Sequence, residues 1–367
     1  MQAEKISEFI SHFPLRLAKE MCIIKDRKQD ITKEITMGIP SPLQTVMRQN
    51  ALITMAYSQY INYHPRFVTD EMVADLAREC DCASHDAYLL LLAAAMGLDT
   101  VDNKEHKLLD RLYIQPGVKK LDPEVYAADA YCKIIRFPTE RMGKWETVTG
   151  KYTAFEPFVW RDPILLPDFR EIPQIGYFEK DFQFPAIHEN GVEWMSVKPN
   201  EVETMKAPIA KSRGRVLTLG LGMGYFAFHA SQKDCVESVT VIEREPDVIE
   251  LFKAHILPQF PHKEKIRILQ ADALEYMEKK IKETDFDYLF ADLWHDASDG
   301  LELYMKLKQL EKNAGEIPAD YWIEDSLLSC LRGMVYEKLS DPTFPIKTQG
   351  VPPEKYLSNE FLKALKM

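Results

Sequence analysis

The chain has 367 residues, 46% hydrophobic and 28% charged, with a formal net charge of −11 and an isoelectric point near 5.4. That is the composition of a globular chain with ample core material, and its length suits two or three domains. The acidic balance argues against a nucleic-acid substrate, because phosphate binding needs a basic surface.

The start, MQAEKISEFI, has no basic segment followed by a long apolar run. The longest apolar run, Ala87 to Met96, is too short to span a bilayer. Cys22, Cys80, Cys82, Cys132, Cys235 and Cys330 form no C-x-x-C pair and have no histidine at metal-ligand spacing. The expectation is a cytoplasmic, thiol-reduced protein with no membrane contact and no metal.

Residues 1–138 read as a helical domain. Apolar residues recur at helical intervals from Pro42 to Tyr63. Thr69 is the expected N-cap of a helix reaching Cys80, and Ser84 that of a helix reaching Met96 and stopped by Gly97. Asn103 to Tyr113 is a further helix, and Asp122-Pro123 opens another over Val125 to Phe137. These helices must pack on one another or on a partner. A substrate-covering role, a homodimer interface and a purely structural role all fit.

Residues 139–199 change texture. WETVTGKYTAFEPFVW and YFEKDFQFPAIHENGVEWMS alternate like strands, and Asn190-Gly191 marks a two-residue hairpin turn. Between these runs the segment reads as irregular. Asn200 and Glu203 have capping-box spacing for a helix to about Lys211.

Residues 200–340 read as an α/β domain. Short apolar runs at 215–220, 237–243, 266–271, 286–292 and 319–324 alternate with helical segments at 224–233, 246–258, 273–283 and 299–313. Continuous Val/Ile/Leu runs are the mark of strands buried on both faces of a parallel sheet. A last helix runs from Asp325 to Leu339. The tail, 341–367, has four prolines and one short helix, leaving little room for further strands.

The first strand of this domain ends in Gly220-Leu221-Gly222-Met223-Gly224, and a helix follows from Tyr225. Glycines at alternate positions let the chain turn sharply and let a ligand approach the backbone. A dinucleotide loop needs a third small residue where Tyr225 stands. Glu243 ends the second strand, 19 residues past Gly224, near the offset at which an acid grips ribose hydroxyls. Each feature has a plainer meaning alone: Glu243 a solvated strand end, Asp272 a helix N-cap. Together they point into one crevice at the carboxyl ends of the strands.

On these residues the segment from about 190 to 324 resembles the class I S-adenosylmethionine-dependent methyltransferases, whose first motif is h-h-D-h-G-x-G-x-G. VTVIERE and ADALEYM look nearest the spermidine-synthase-like branch. Thr218 stands where the family has an acid. The resemblance implies a Rossmann-like doubly wound, mostly parallel sheet, shortened by its last strand pair, with an N-terminal helical domain and a small β-hairpin region. It implies S-adenosyl-L-methionine as donor. Gly220, Leu221, Gly222 and Gly224 would face its methionine part, Glu243 with the adjacent Arg244 its ribose, and Asp272 with Ala273 its adenine. Trp194, Met195 and Ser196 would lie near the methionine end.

Asp292 ends the fourth strand, where the resemblance places the reacting centre. In DLWHD it is joined by Trp294, His295 and Asp296. Asp292 is the expected catalytic and donor-binding group, holding a substrate amine, taking its proton or binding the donor's ammonium group. His295 is either a base near neutral pH or part of an exposed loop. Trp194, Trp294 and His295 are the candidate substrate contacts. The leading expectation is a methyltransferase acting on a small-molecule acceptor. An aminopropyltransferase using decarboxylated donor is the alternative, although its Asp-x-x-Asp pattern would need an acid one residue before Asp296, and NEVETM lacks its Tyr-His-Glu signature. A non-catalytic donor-binding protein is the third reading.

Overall fold

The structure is a computed structural model and describes residues 41–138, 141–283, 285–341 and 352–365. The helical expectation for residues 1–40, and Cys22, lie outside the described residues. Helix α1 is Ser41–Tyr63. Helix α2 is Asp70–Cys80, and the Thr69 side chain accepts from the Met72 N–H as its cap. Helix α3 is Ser84–Ala95. Ser84 is not its cap: the helix already includes it, and Ala83, which offers no side-chain oxygen, holds the cap position. Helix α4, Lys104–Leu109, is capped by Asn103 and continues as a wider π-turn over Asp110–Ile114.

The single helix expected over Val125 to Phe137 is two. Helix α5 is Pro123–Ala127, capped by Asp122, and helix α6 is Ala130–Ile134, capped by Asp129. Asp129 accepts from the Tyr131 N–H at 2.8 Å. A short acidic side chain offers the backbone this local alternative to a continuous helix, and here it wins.

The segment 141–196 is richer in strands than its sequence suggests. It contains β2 (Arg141–Met142), β3 (Trp145–Tyr152), β4 (Phe158–Leu165), β5 (Glu171–Tyr177), β6 (Phe182–Glu189) and β7 (Val192–Ser196). Strand β5, EIPQIGY, pairs in parallel with β1 (Val118–Lys120) and antiparallel with β4. Helices α2 and α3 bury Val73, Leu76, Tyr88 and Leu92 in one core with Ile172, Ile175 and Tyr177 of β5. The other sheet runs β2-β3-β6-β7. Its β6–β7 hairpin turns on Asn190 (φ 51°) and Gly191 (φ 84°), the two left-handed positions of a type I′ turn.

Helix α7 spans Pro199–Lys211, with Pro199 in its first turn and Lys198 at the cap without a side-chain bond. The expected Asn200–Glu203 capping box therefore does not form. Glu203 instead takes Arg161 at 2.7 Å and Lys206 at 2.6 Å.

The α/β unit follows. Strands β8 (Gly214–Leu219), β9 (Val236–Glu243), β10 (Ile266–Gln270), β11 (Tyr288–Ala291) and β12 (Ala319–Tyr321) lie in the order β10-β9-β8-β11-β12. All four pairings are parallel. The fold is mixed α/β with a Rossmann-like five-stranded sheet. Its helices are α8 (Tyr225–Ser231), α9 (Pro246–Leu251), α10 (Ala273–Lys279), α11 (Ala297–Leu310) and α12 (Glu324–Ser340). The chain order reverses between β8 and β11, which is where open α/β sheets leave a crevice. Strand β12 stops at Tyr321 rather than at Glu324, since Ile323 takes a left-handed φ of 47°.

No strand follows β12 among the described residues. The tail holds two short helices rather than one, α13 (Pro353–Leu357) and α14 (Asn359–Ala364). Among the described residues no helix is long and apolar enough to cross a membrane.

Candidate functional site

A cleft of about 320 Å³ opens at the carboxyl ends of β8, β9, β10 and β11. That volume is within the range of small-molecule sites, about 300–1,000 Å³. The strand ends are tied in register above the ladder. Gly220 N donates to Ile242 O at 2.9 Å, Ala271 N to Glu243 O at 2.9 Å, and Asp292 N to Leu219 O at 2.8 Å.

The three loop glycines serve three purposes. All have positive φ: 96° at Gly220, 52° at Gly222 and 79° at Gly224. A Cβ on Gly220 would lie 1.9 Å from the Asp292 carbonyl oxygen, so this glycine lets two strand ends meet. A Cβ on Gly222 would meet nothing within 4 Å, and this residue bares its backbone to the cleft. Gly224 is turned away. A Cβ there would strike the Phe252 ring at 2.3 Å, and the cleft is lined instead by Leu221, Met223 and Tyr225. Tyr225 is buried, and its hydroxyl donates to Asp129 at 3.0 Å.

Glu243 is fixed before any ligand arrives. One oxygen accepts from Leu221 N at 3.1 Å, and the other from Arg244 N at 2.7 Å and Glu245 N at 2.9 Å. Three of its roughly four acceptor positions are thus taken by backbone. Arg244 is an exposed neighbour on the cleft rim, 3.5 Å from Glu245. Asp272 caps α10, accepting from Glu275 N at 2.9 Å with one oxygen. Asp272 and Ala273, at the start of that helix, both line the cleft.

DLWHD divides its labour. Asp292 faces the cleft. Trp294 lines the cleft as well but is largely packed into the core: it is 5% exposed, donates to Trp322 O at 3.2 Å and packs on Gly300. His295 sits on the rim, stacked on Trp194 at 6.0 Å between ring centroids. Trp194 meets Trp145 edge-on at 6.5 Å. Asp296 caps α11, accepting from Ser298 N, with Asp299 completing a capping box. The acid that the alternative reading would move by one residue is a helix cap.

The group sequence reasoning missed is Glu201. It stands in the first turn of α7 and lines the cleft with Asp292. Burial and then the neighbouring Glu243 charge push Asp292 up to about 7. Glu201 is raised well above the usual carboxylate range, by burial and then by the Asp292 charge. Lys198 opposes that rise, but its ammonium is held by Glu193 at 2.7 Å. Burial and like charge thus disfavour the ionised form of both carboxyls, Glu201 and Asp292. The one sequence signal for Glu201 is an acid two residues after a helix-starting proline.

No family model matches this sequence, and no curated protein matches it. Among solved structures it is similar to the spermidine synthase from Thermotoga maritima, at 17% identity and a TM-score of 0.28 over 36% of this chain and 49% of that one. A spermidine synthase in complex with the transition-state analogue AdoDATO gives 17% identity and a TM-score of 0.27, over 36% and 49%. The chain thus spans about half the length of the solved structures it matches. At these scores the likeness carries no argument, and any functional reading rests on the cleft.

Proposed function

We propose that the chain is an S-adenosylmethionine-dependent transferase that moves a methyl group to a small nucleophile, with Asp292 as proton acceptor. The observation that carries this is an acid poised near neutrality, Asp292, in the same cleft as the fixed carboxylate Glu243 and the bare backbone of Gly222.

The residues fit such a donor. Gly222 permits close approach, Glu243 presents a pre-oriented acceptor for ribose hydroxyls, and Asp272 keeps one oxygen for an amine. A bound donor supplies an electrophilic carbon on sulfonium. What this chain adds is position and proton handling. Asp292 takes the proton from an acceptor N–H or O–H as the new bond forms. Glu201, whose ionised form burial disfavours, lines the cleft with it. Trp194 and His295, stacked on one another, stand at the rim. Replacing Glu243 by alanine is expected to weaken donor binding about 10- to 100-fold, the cost of a charged hydrogen bond. Calorimetry reads this directly, and unchanged affinity would remove Glu243 from the donor site.

The charge of the cleft favours a second reading. Its described lining has eight acids against three Lys or Arg. Lys144 is 2.5 Å from Glu189, Lys198 2.7 Å from Glu193, and Arg244 3.5 Å from Glu245. A donor carboxylate finds no unpaired cation there, and a decarboxylated donor needs none. That is the aminopropyl-transfer reading. Titrating S-adenosylmethionine, its demethylated product and decarboxylated S-adenosylmethionine separates the two. Tighter binding of the first pair supports methyl transfer, and tighter binding of the decarboxylated form supports aminopropyl transfer. Binding of none overturns both, and the non-catalytic donor-binding reading with them.

A further inference from the structure

A second cavity, of about 460 Å³, lies between the β3–β6 face and the helices α5 and α6. Its floor is aromatic: Tyr126, Tyr131, Phe182 and Phe184 are all buried. Its rim is open and polar, with Thr149 and Gln183 on one side and Ala127 and Arg136 on the other, all exposed. Arg136 is the one charged side chain among its described lining residues, in a chain of net charge −11. An apolar floor with a few polar groups at the mouth is how small-molecule sites are built. Flat rings suit the aromatic floor, and the guanidinium suits one carboxylate or sulfonate.

The cavity touches the cleft in two ways. Val197 lines both. Tyr131, fully buried, donates its hydroxyl to the Met223 carbonyl of the glycine-rich loop. Next to it, Asp129 accepts from Tyr225 at 3.0 Å and bonds His229 at 3.1 Å. The helix pair that walls the cavity therefore also holds the loop that walls the cleft.

We propose that this cavity is a second ligand site, for a flat, mostly apolar molecule with one acidic group, and that Tyr131 couples its occupancy to the glycine-rich loop. The coupling rests on the donor reading above; the binding does not. Tyr131 is a positioning residue here.

The test uses the full chain with 2-naphthoate and its neutral analogue 2-naphthalenemethanol, followed by calorimetry. The expected result is binding of the acid, weakened about tenfold or more by Arg136→Gln, with the neutral compound indifferent to that change. Ala127→Trp, which plugs the rim, should abolish binding of both, and Thr149→Trp plugs the opposite rim should the first variant fail to fold. Undiminished binding in a folded plugged variant, or no binding by the parent chain, overturns the site. Coupling is read as a change in S-adenosylmethionine affinity when 2-naphthoate is present, lost in Tyr131→Phe while naphthoate binding persists. An unchanged donor affinity overturns the coupling alone. A chain that binds naphthoate and no donor overturns the function proposed above and leaves the second site standing.

Discussion

Asp292→Asn is expected to lower kcat by about 10²- to 10⁴-fold, the span that positioned proton transfer contributes. The pH profile separates loss of a base from mere disturbance. Burial and the Glu243 charge push Asp292 up to about 7. A base must be deprotonated to act, so activity should rise with pH and reach half its plateau near 7, and the asparagine variant should lose that limb. Linkage gives a second readout of opposite sign. A carboxyl whose folded pKa is raised contributes stability below its unfolded pKa of about 3.9. That contribution is lost as pH rises through about 7. The wild-type chain should therefore become easier to unfold as pH rises across that window, and Asp292→Asn should be relieved of that fall. A variant both inactive and more stable at pH 8 is the signature of a group held in an unfavourable state for its chemistry. If kcat survives, the proton leaves by another route, and Glu201 is the next group to replace.

The parallel sheet was legible because its physics is local. Strands buried on both faces read as unbroken apolar runs, and their ends are marked by Gly220, Glu243, Asp272 and Asp292. What was hidden depends on contacts distant in sequence. Strand β1 exists only through its parallel pairing with β5, and three residues, Val118–Lys120, carry no alternation to read. Glu201 is hidden in the sequence by the capping-box spacing of Asn200 and Glu203. The helix starts at Pro199, so Glu203 turns to Arg161 and Lys206 while Glu201 turns to the cleft. The aromatic rim joins Trp145 of β3, Trp194 of β7 and His295 of the loop after β11, three stretches that sequence spacing does not connect. Asp129 falls inside the helical pattern of Val125 to Phe137, and its cap breaks the helix where Tyr131 must reach Met223.

Gly220→Ala and Gly222→Ala should fail in different ways. At Gly220 the added Cβ would stand 1.9 Å from the Asp292 carbonyl oxygen and 2.9 Å from its carbon. Both are backbone atoms, so no side chain can swing aside. Relief requires parting the ends of β8 and β11, where Asp292 N bonds Leu219 O at 2.8 Å. The φ of 96° adds strain of its own. A loss of about 3 kcal/mol in unfolding free energy is expected, the upper part of the range for overpacking. Because Asp292 moves with the strand end, activity should fall even where the chain still folds. At Gly222 the Cβ meets nothing within 4 Å, and φ is 52°. Only the left-handed strain of about 1–2 kcal/mol applies. The new methyl group stands on the backbone that faces the cleft, so donor affinity should drop while the stability loss stays smaller than at Gly220. Chemical denaturation and donor titration of the two variants read both axes. Equal stability losses would mean that the loop is a structural turn and that Gly222 bares no backbone for a ligand.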